Sequence, residues 1–201
     1  MKRALIAGLA LLAVSSVSAQ TLLQLSPLGW VTVVPVCHDY DCANETDVVY
    51  HETQLDEVAR VMAVAQSAAE ERERLALVIG QLYAWAGRQS PIWRDKAGNH
   101  LDDGMPGTMD CVDHSTTTTR FLLMMQQYSM LRFHRVIEPA WRGIFLTQHR
   151  SAAIEEVEPD LRPAESDGSG QFVVDSWYGD NGTPALVIPI EAWREGGGPD
   201  V

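Results

Sequence analysis

The apolar residues of this chain change their period once, and that change limits the folds open to it. From Leu55 to Leu131 they recur at helical spacing, and from Phe133 to Ile190 they sit in short β-branched runs separated by turn residues. In the first half, Leu55, Val58, Met62 and Ala65 fall at i, i+3, i+7 and i+10. Leu75, Val78, Ile79, Leu82 and Ala86 share one face of a second helix from about Glu70, which Gly87 ends. A third helix is predicted to begin at Cys111, behind the capping residues Thr108 and Asp110. It buries Phe121, Met124 or Met125, Tyr128 and Leu131. Strands follow over Phe133–Ile137, Ile144–Val157, Gln171–Tyr178 and Ala185–Ile190, with Asp180-Asn181-Gly182 as a tight turn before the last. Helices first and an antiparallel sheet afterwards make an α+β fold, with the core helix that starts at the Cys packed on the sheet. Ahead of the helices, Leu22–Val36 reads as a short strand or extended arm, and Asp39–Asn44 as a turn.

The N-terminus carries an export signature. Lys2 and Arg3 precede the uncharged run Ala4–Val14, and Val17 and Ala19 occupy the cleavage positions, so Gln20 is expected to begin the mature chain. No Cys stands at that point to take a lipid anchor. The apolar run is too short to span a bilayer and no second one follows, so no membrane insertion of the mature chain is expected. The expected organisation is a signal peptide over 1–19, an N-terminal arm over 20–50 and one domain over 51–201. The compartment implied is the bacterial periplasm or the exterior. The chain has 15 basic and 27 acidic residues, a formal charge of −12, and loses two of its basic residues with the leader. Such a protein is repelled by nucleic acid and by anionic lipid.

Three cysteines in an oxidising compartment imply one disulfide and one thiol. Cys37 and Cys42 are close enough to close a small loop, which leaves Cys111 as the odd one. Zinc on Cys37, His38, Cys42 and His51 is the less favoured reading of that segment, because the spacing is loose. Asp39, Asp41, Asn44, Glu45 and Asp47 match no EF-hand loop and read as a solvated acidic turn. No cofactor is implied.

A thiol enzyme needs a Cys held as thiolate, a His that exchanges protons with it, and a third group that orients the ring. Cys111 is placed at a predicted helix start. His149 and Asp175 lie on consecutive predicted strands joined by one loop, where they can meet across a hairpin. His114 shares a helix face with Cys111 but ranks below His149. Asp110 and Asp113 flank the thiol, and carboxylates there raise a thiol pKa unless they cap amides or pair elsewhere. Trp141, Trp177 and Trp193 read as packing residues before groove residues.

These segments resemble transglutaminase-like cysteine enzymes. GTMDCVDHS is similar to that family's C-x-D-x-[AS] helix start, QHRSAAIEEV to its His strand and FVVDSW to its Asp strand. The likeness covers roughly Gly107 to Trp177. It extends to the bacterial periplasmic cysteine proteinases of that superfamily. The resemblance implies Cys111 as nucleophile, His149 as general base and acid, and Asp175 as orienting carboxylate. The implied activity is that of a peptidase or amidase working through a thioester on a peptide or protein substrate, with acyl transfer to an amine as the variant. The chain departs from the family in having Arg150 and Ser151 after the His, where Ala-Trp is common. Gln81, Trp85, Trp93 and the Cys111 amide are alternative oxyanion donors. The rival reading is a catalytically inert binding module of the same fold, and the oligomeric state is open.

Overall fold

A computed structural model describes residues 22–26, 29–98, 105–143, 148–157 and 170–199. The leader, the Asp102-Asp103 pair, the start of the Ile144–Val157 run and most of the Pro159–Gly170 loop lie outside them. Over the described residues the chain is α+β, with four helices and two antiparallel sheets. The first sheet runs β1 (Leu22–Ser26), β2 (Gly29–His38) and β3 (Asn44–His51) in that order. Three helices follow: α1 (Glu52–Ala63), α2 (Ala68–Gly87) and α3 (Cys111–Gln127), with a 3₁₀ turn over Pro91–Arg94. The second sheet is β4 (His134–Arg142), β5 (His149–Glu156), β6 (Gln171–Asp175) and β7 (Leu186–Pro189), in sequence order and antiparallel throughout. A short α4 (Ile190–Arg194) closes the chain.

Helices α2 and α3 each start at a side-chain cap. Ser67 accepts from the Glu70 amide at the head of α2, and Asp110 accepts from the Val112 and Asp113 amides at the head of α3. The turn at Asp180–Gly182 closes with a bond from the Thr183 amide to the Asp180 carbonyl, and Gly182 takes φ +88° there. Two elements escaped the residue pattern. β3 is polar at its start (Asn-Glu-Thr-Asp), and α4 is little more than one turn.

Alternation along the strands builds two cores on opposite faces of the second sheet. Ala152 and Ile154 of β5, with Phe172 and Val174 of β6, join the helices and Val34, Val36, Val48 and Tyr50 of the first sheet in the main core. Their neighbours Ala153 and Val173 face the other way, onto Ile190 and Trp193 of α4. Helix α3 is thus held between both sheets. A buried carboxylate ties the second sheet to the helices: Glu71 of α2 accepts from the Arg132 and Phe133 amides and from His134 Nδ1 at 2.8 Å. Those donors outweigh the burial that raises its pKa, and Glu71 is held below the usual carboxylate range. Among the described residues no helix is long and apolar enough to cross a membrane.

Candidate active site

Cys111 is the first residue of α3, half-buried, and the free thiol of the chain. The approach to it is pinned by Gly107, whose φ is +91° and where a Cβ would come within 2.3 Å of the Pro91 carbonyl oxygen, so no side chain fits. Within the first turn of α3, Asp110 Oδ1 takes the amides of Val112 and Asp113. The Cys111 amide is the first-turn donor that this cap does not use, and it lies beside the sulfur. Of the other oxyanion candidates, Trp85 is buried against Tyr50 and Trp93 is exposed on the 3₁₀ turn.

His149 opens β5, Asp175 ends β6, and the register Ala152↔Val174 brings the two ends together. His149 Nε2 meets Asp175 Oδ2 at 2.8 Å, and the Cys111 thiol lies near enough to the ring to favour its charged form. With Nε2 committed to the carboxylate, Nδ1 is the nitrogen left for sulfur. Burial disfavours the charged ring, yet the bonds and charges of Asp175 and Cys111 prevail and raise its pKa to about 8. Structure therefore brings together Cys111, His149 and Asp175, from one helix and two strands.

Two tryptophans read from the sequence as packing residues complete the setting. Trp193 of α4, fully buried, donates its indole N–H to Asp175 Oδ2 at 3.0 Å, and the Trp177 amide donates to Oδ1. The His149 ring lies 4.7 Å from the Trp177 ring and 5.4 Å from that of Trp193. Asp175 is held as an acceptor on both oxygens, and the imidazole is walled from water on both flanks. Trp141, by contrast, is about half exposed.

His114 sits one turn beyond the thiol but turns away from it. Its Nδ1 meets Ser176 Oγ at 2.9 Å and its Nε2 meets Asp95 Oδ2 at 3.0 Å, with Tyr83 and Thr118 closing the network around Ser176. Burial opposes the imidazolium, and the Asp95 charge and contact outweigh it, so the His114 pKa is raised.

The carboxylates flanking Cys111 are occupied. Cys37 and Cys42 form a disulfide, so neither sulfur is a thiolate free to bind a metal. Inside that loop, Asp39, Tyr40, Asp41 and Cys42 all take positive φ, between 53° and 67°. Successive left-handed residues point their N–H groups the same way and cradle anions. Here Tyr40 N–H donates to Asp113 Oδ2 at 2.9 Å, Cys42 N–H to Asp113 Oδ1 at 2.8 Å and Asp41 N–H to Asp110 Oδ2 at 3.0 Å. Burial and the Asp110 charge still push Asp113 up to about 6, against the pull of these donors. The two carboxylates flanking Cys111 are thus held by the amides of a disulfide-closed loop about 70 positions upstream, which local pattern gives no means to foresee. No family model, curated protein or solved structure matches this chain.

Proposed function

We propose that this protein is an exported thiol hydrolase of transglutaminase-like type, a peptidase or amidase. The observation that carries the reading is His149, hydrogen-bonded to Asp175 and set beside a half-buried Cys at a helix N-terminus. An imidazole so placed can take the thiol proton and hold thiolate and imidazolium as a pair. The sulfur then attacks a peptide or amide carbonyl, forming a C–S bond, and the oxyanion forms beside the Cys111 amide. His149 returns its proton to the leaving amine as the C–N bond breaks. Water, deprotonated by the same ring, cleaves the thioester to a carboxylic acid and restores the thiol–imidazole pair. The disulfide and the leader-like N-terminus support an oxidising compartment outside the cytoplasm.

The test is the rate of iodoacetamide alkylation of Cys111 from pH 4 to 9, in the protein and in His149→Ala. Fast labelling well below the free-thiol pKa of ~8.5, lost in the variant, is the expected outcome. A rate that climbs only near that value and ignores the substitution would leave an inert binding module.

A further inference from the structure

A cavity of about 540 Å³ opens between α3 and the β4–β5 pair. Leu123, Val136, Ile137 and Pro139 form its apolar walls, and Thr116 and Thr119 line the α3 side. Thr116 is five residues beyond Cys111, ~7.5 Å along the helix axis at 1.5 Å per residue. The β4 edge is irregular there: a register shift between Ile137 and Ala140 re-aims Glu138 and Pro139, the kind of bulge that shapes clefts beside reactive groups.

Arg150 lines the same cavity and directly follows His149 on β5. Strand alternation sends it to the opposite face from His149, the face that carries Ala152 and Ile154 toward α3. Its guanidinium lies 5.2 Å over the Trp141 ring, and its Nε is buried with no hydrogen-bond partner. Among the described residues it makes no ion pair, whereas Arg72, Arg120, Arg135 and Arg194 each pair with a glutamate. A buried donor left unmet destabilises the site, and an incoming acceptor would recover that loss. Glu138 is exposed on the cavity's rim and is not paired with Arg150. One guanidinium facing one rim carboxylate suits a monoanion rather than a phosphate dianion.

We infer that this cavity is the specificity pocket of the thiol site, with Arg150 receiving a carboxylate of the substrate and the apolar walls its hydrocarbon portion. The inference rests on the thiol-hydrolase reading. A guanidinium fork matches a carboxylate's two oxygens, and Trp141 holds the fork flat.

Three probes separate the sources of that carboxylate: N-acetylglutamine has only the terminal one, N-acetylglutamic acid α-amide only the side-chain one, and N-acetylglutamine amide neither. Each is titrated against the protein by tryptophan fluorescence, and by its slowing of iodoacetamide labelling of Cys111. One carboxylate probe is expected to bind at least about tenfold tighter than the neutral amide, the scale of one charge-assisted hydrogen bond. Arg150→Gln should erase that preference, and Leu123→Trp, which fills the cavity and keeps the charge, should weaken the preferred probe as much. Equal binding of all three, or a preference that survives Arg150→Gln, overturns the pocket. Fast acid-side labelling of Cys111 without carboxylate preference retires the pocket and keeps the thiol reading. Preference with a slow, His149-independent thiol retires the thiol reading and the pocket's role in it.

Discussion

Two histidines pair with aspartates in this fold, His149 on β5 and His114 in the first turn of α3, and they differ in what the ring faces. His149 gives Nε2 to Asp175 and has Nδ1 left over, with the Trp177 and Trp193 rings packed against it and the thiol nearby. His114, 3% exposed, bonds Ser176 through Nδ1 and sets Nε2 3.0 Å from Asp95 in a buried ion pair. Both rings gain affinity for the proton through a carboxylate. Only the first can pass that proton on. The lesson is that a raised histidine pKa marks a buried ion pair, whereas an unspent ring nitrogen facing a nucleophile marks chemistry. The two pairs therefore predict separable phenotypes.

The largest effect should come from exchanging the two histidines' fates. His149→Ala removes the group that takes the thiol proton, and labelling of Cys111 at pH 6 should fall about a hundredfold, the scale of a lost general base. His114→Ala strands Asp95, which is 1% exposed. It should cost about 3–5 kcal/mol in urea unfolding while leaving the acid-side labelling in place. If His114→Ala instead abolished fast labelling without loss of stability, the assignment of roles would be reversed.

A smaller effect tests the orienting carboxylate. Asp175→Asn keeps the shape but removes the charge that favours the imidazolium. The labelling plateau at pH 6 should drop about tenfold, one pKa unit's worth, with the profile displaced toward alkaline pH. Asp95→Asn should leave that profile where it is.

Opening the loop across from the thiol comes next. Cys37→Ser with Cys42→Ser should cost about 2 kcal/mol by the loop-closure estimate. It also frees the left-handed residues from holding three amides on Asp110 and Asp113. With those carboxylates unmet, acid-side labelling of Cys111 should slow several-fold, read by mass spectrometry of the alkylated peptide. Unchanged labelling would show that the loop serves stability alone.

The mildest expectation concerns pH. His149 is raised from 6.5 to about 8 on folding, so its contribution is whole below pH 6.5 and disappears as pH rises through 8. The melting temperature should therefore decline across that window, with a shallower decline in His149→Ala. Hydrolysis of any substrate should fade above pH 8 as the leaving amine loses its proton donor.

Much of this site was legible as text. The Asp110 cap ahead of Cys111, the start of α3 and the strands carrying His149 and Asp175 follow from local propensity and period, which depend on neighbours a few positions away. Thr108 bonds the Met105 carbonyl instead, and α3 ends at Gln127, short of the expected Tyr128 and Leu131. The disulfide followed from counting cysteines. What could not be read were partners whose only relation to the thiol is spatial. Trp193 sits on a helix too short to leave a pattern. Asp95 follows an irregular turn, and the amides of Tyr40, Asp41 and Cys42 have no side-chain signature at all.

Residue spacing and type alone were enough for the α+β class, the helix that begins at Cys111 and the nomination of Cys111, His149 and Asp175, because each rests on interactions local along the chain. The folded chain alone decided which histidine faces the thiol, what holds Asp110 and Asp113, and that the buried Nε of Arg150 is left without a hydrogen-bond partner. Those are questions of distance and burial between residues far apart in sequence, where an ion pair or an unmet donor is settled by a few ångströms and by the exclusion of water.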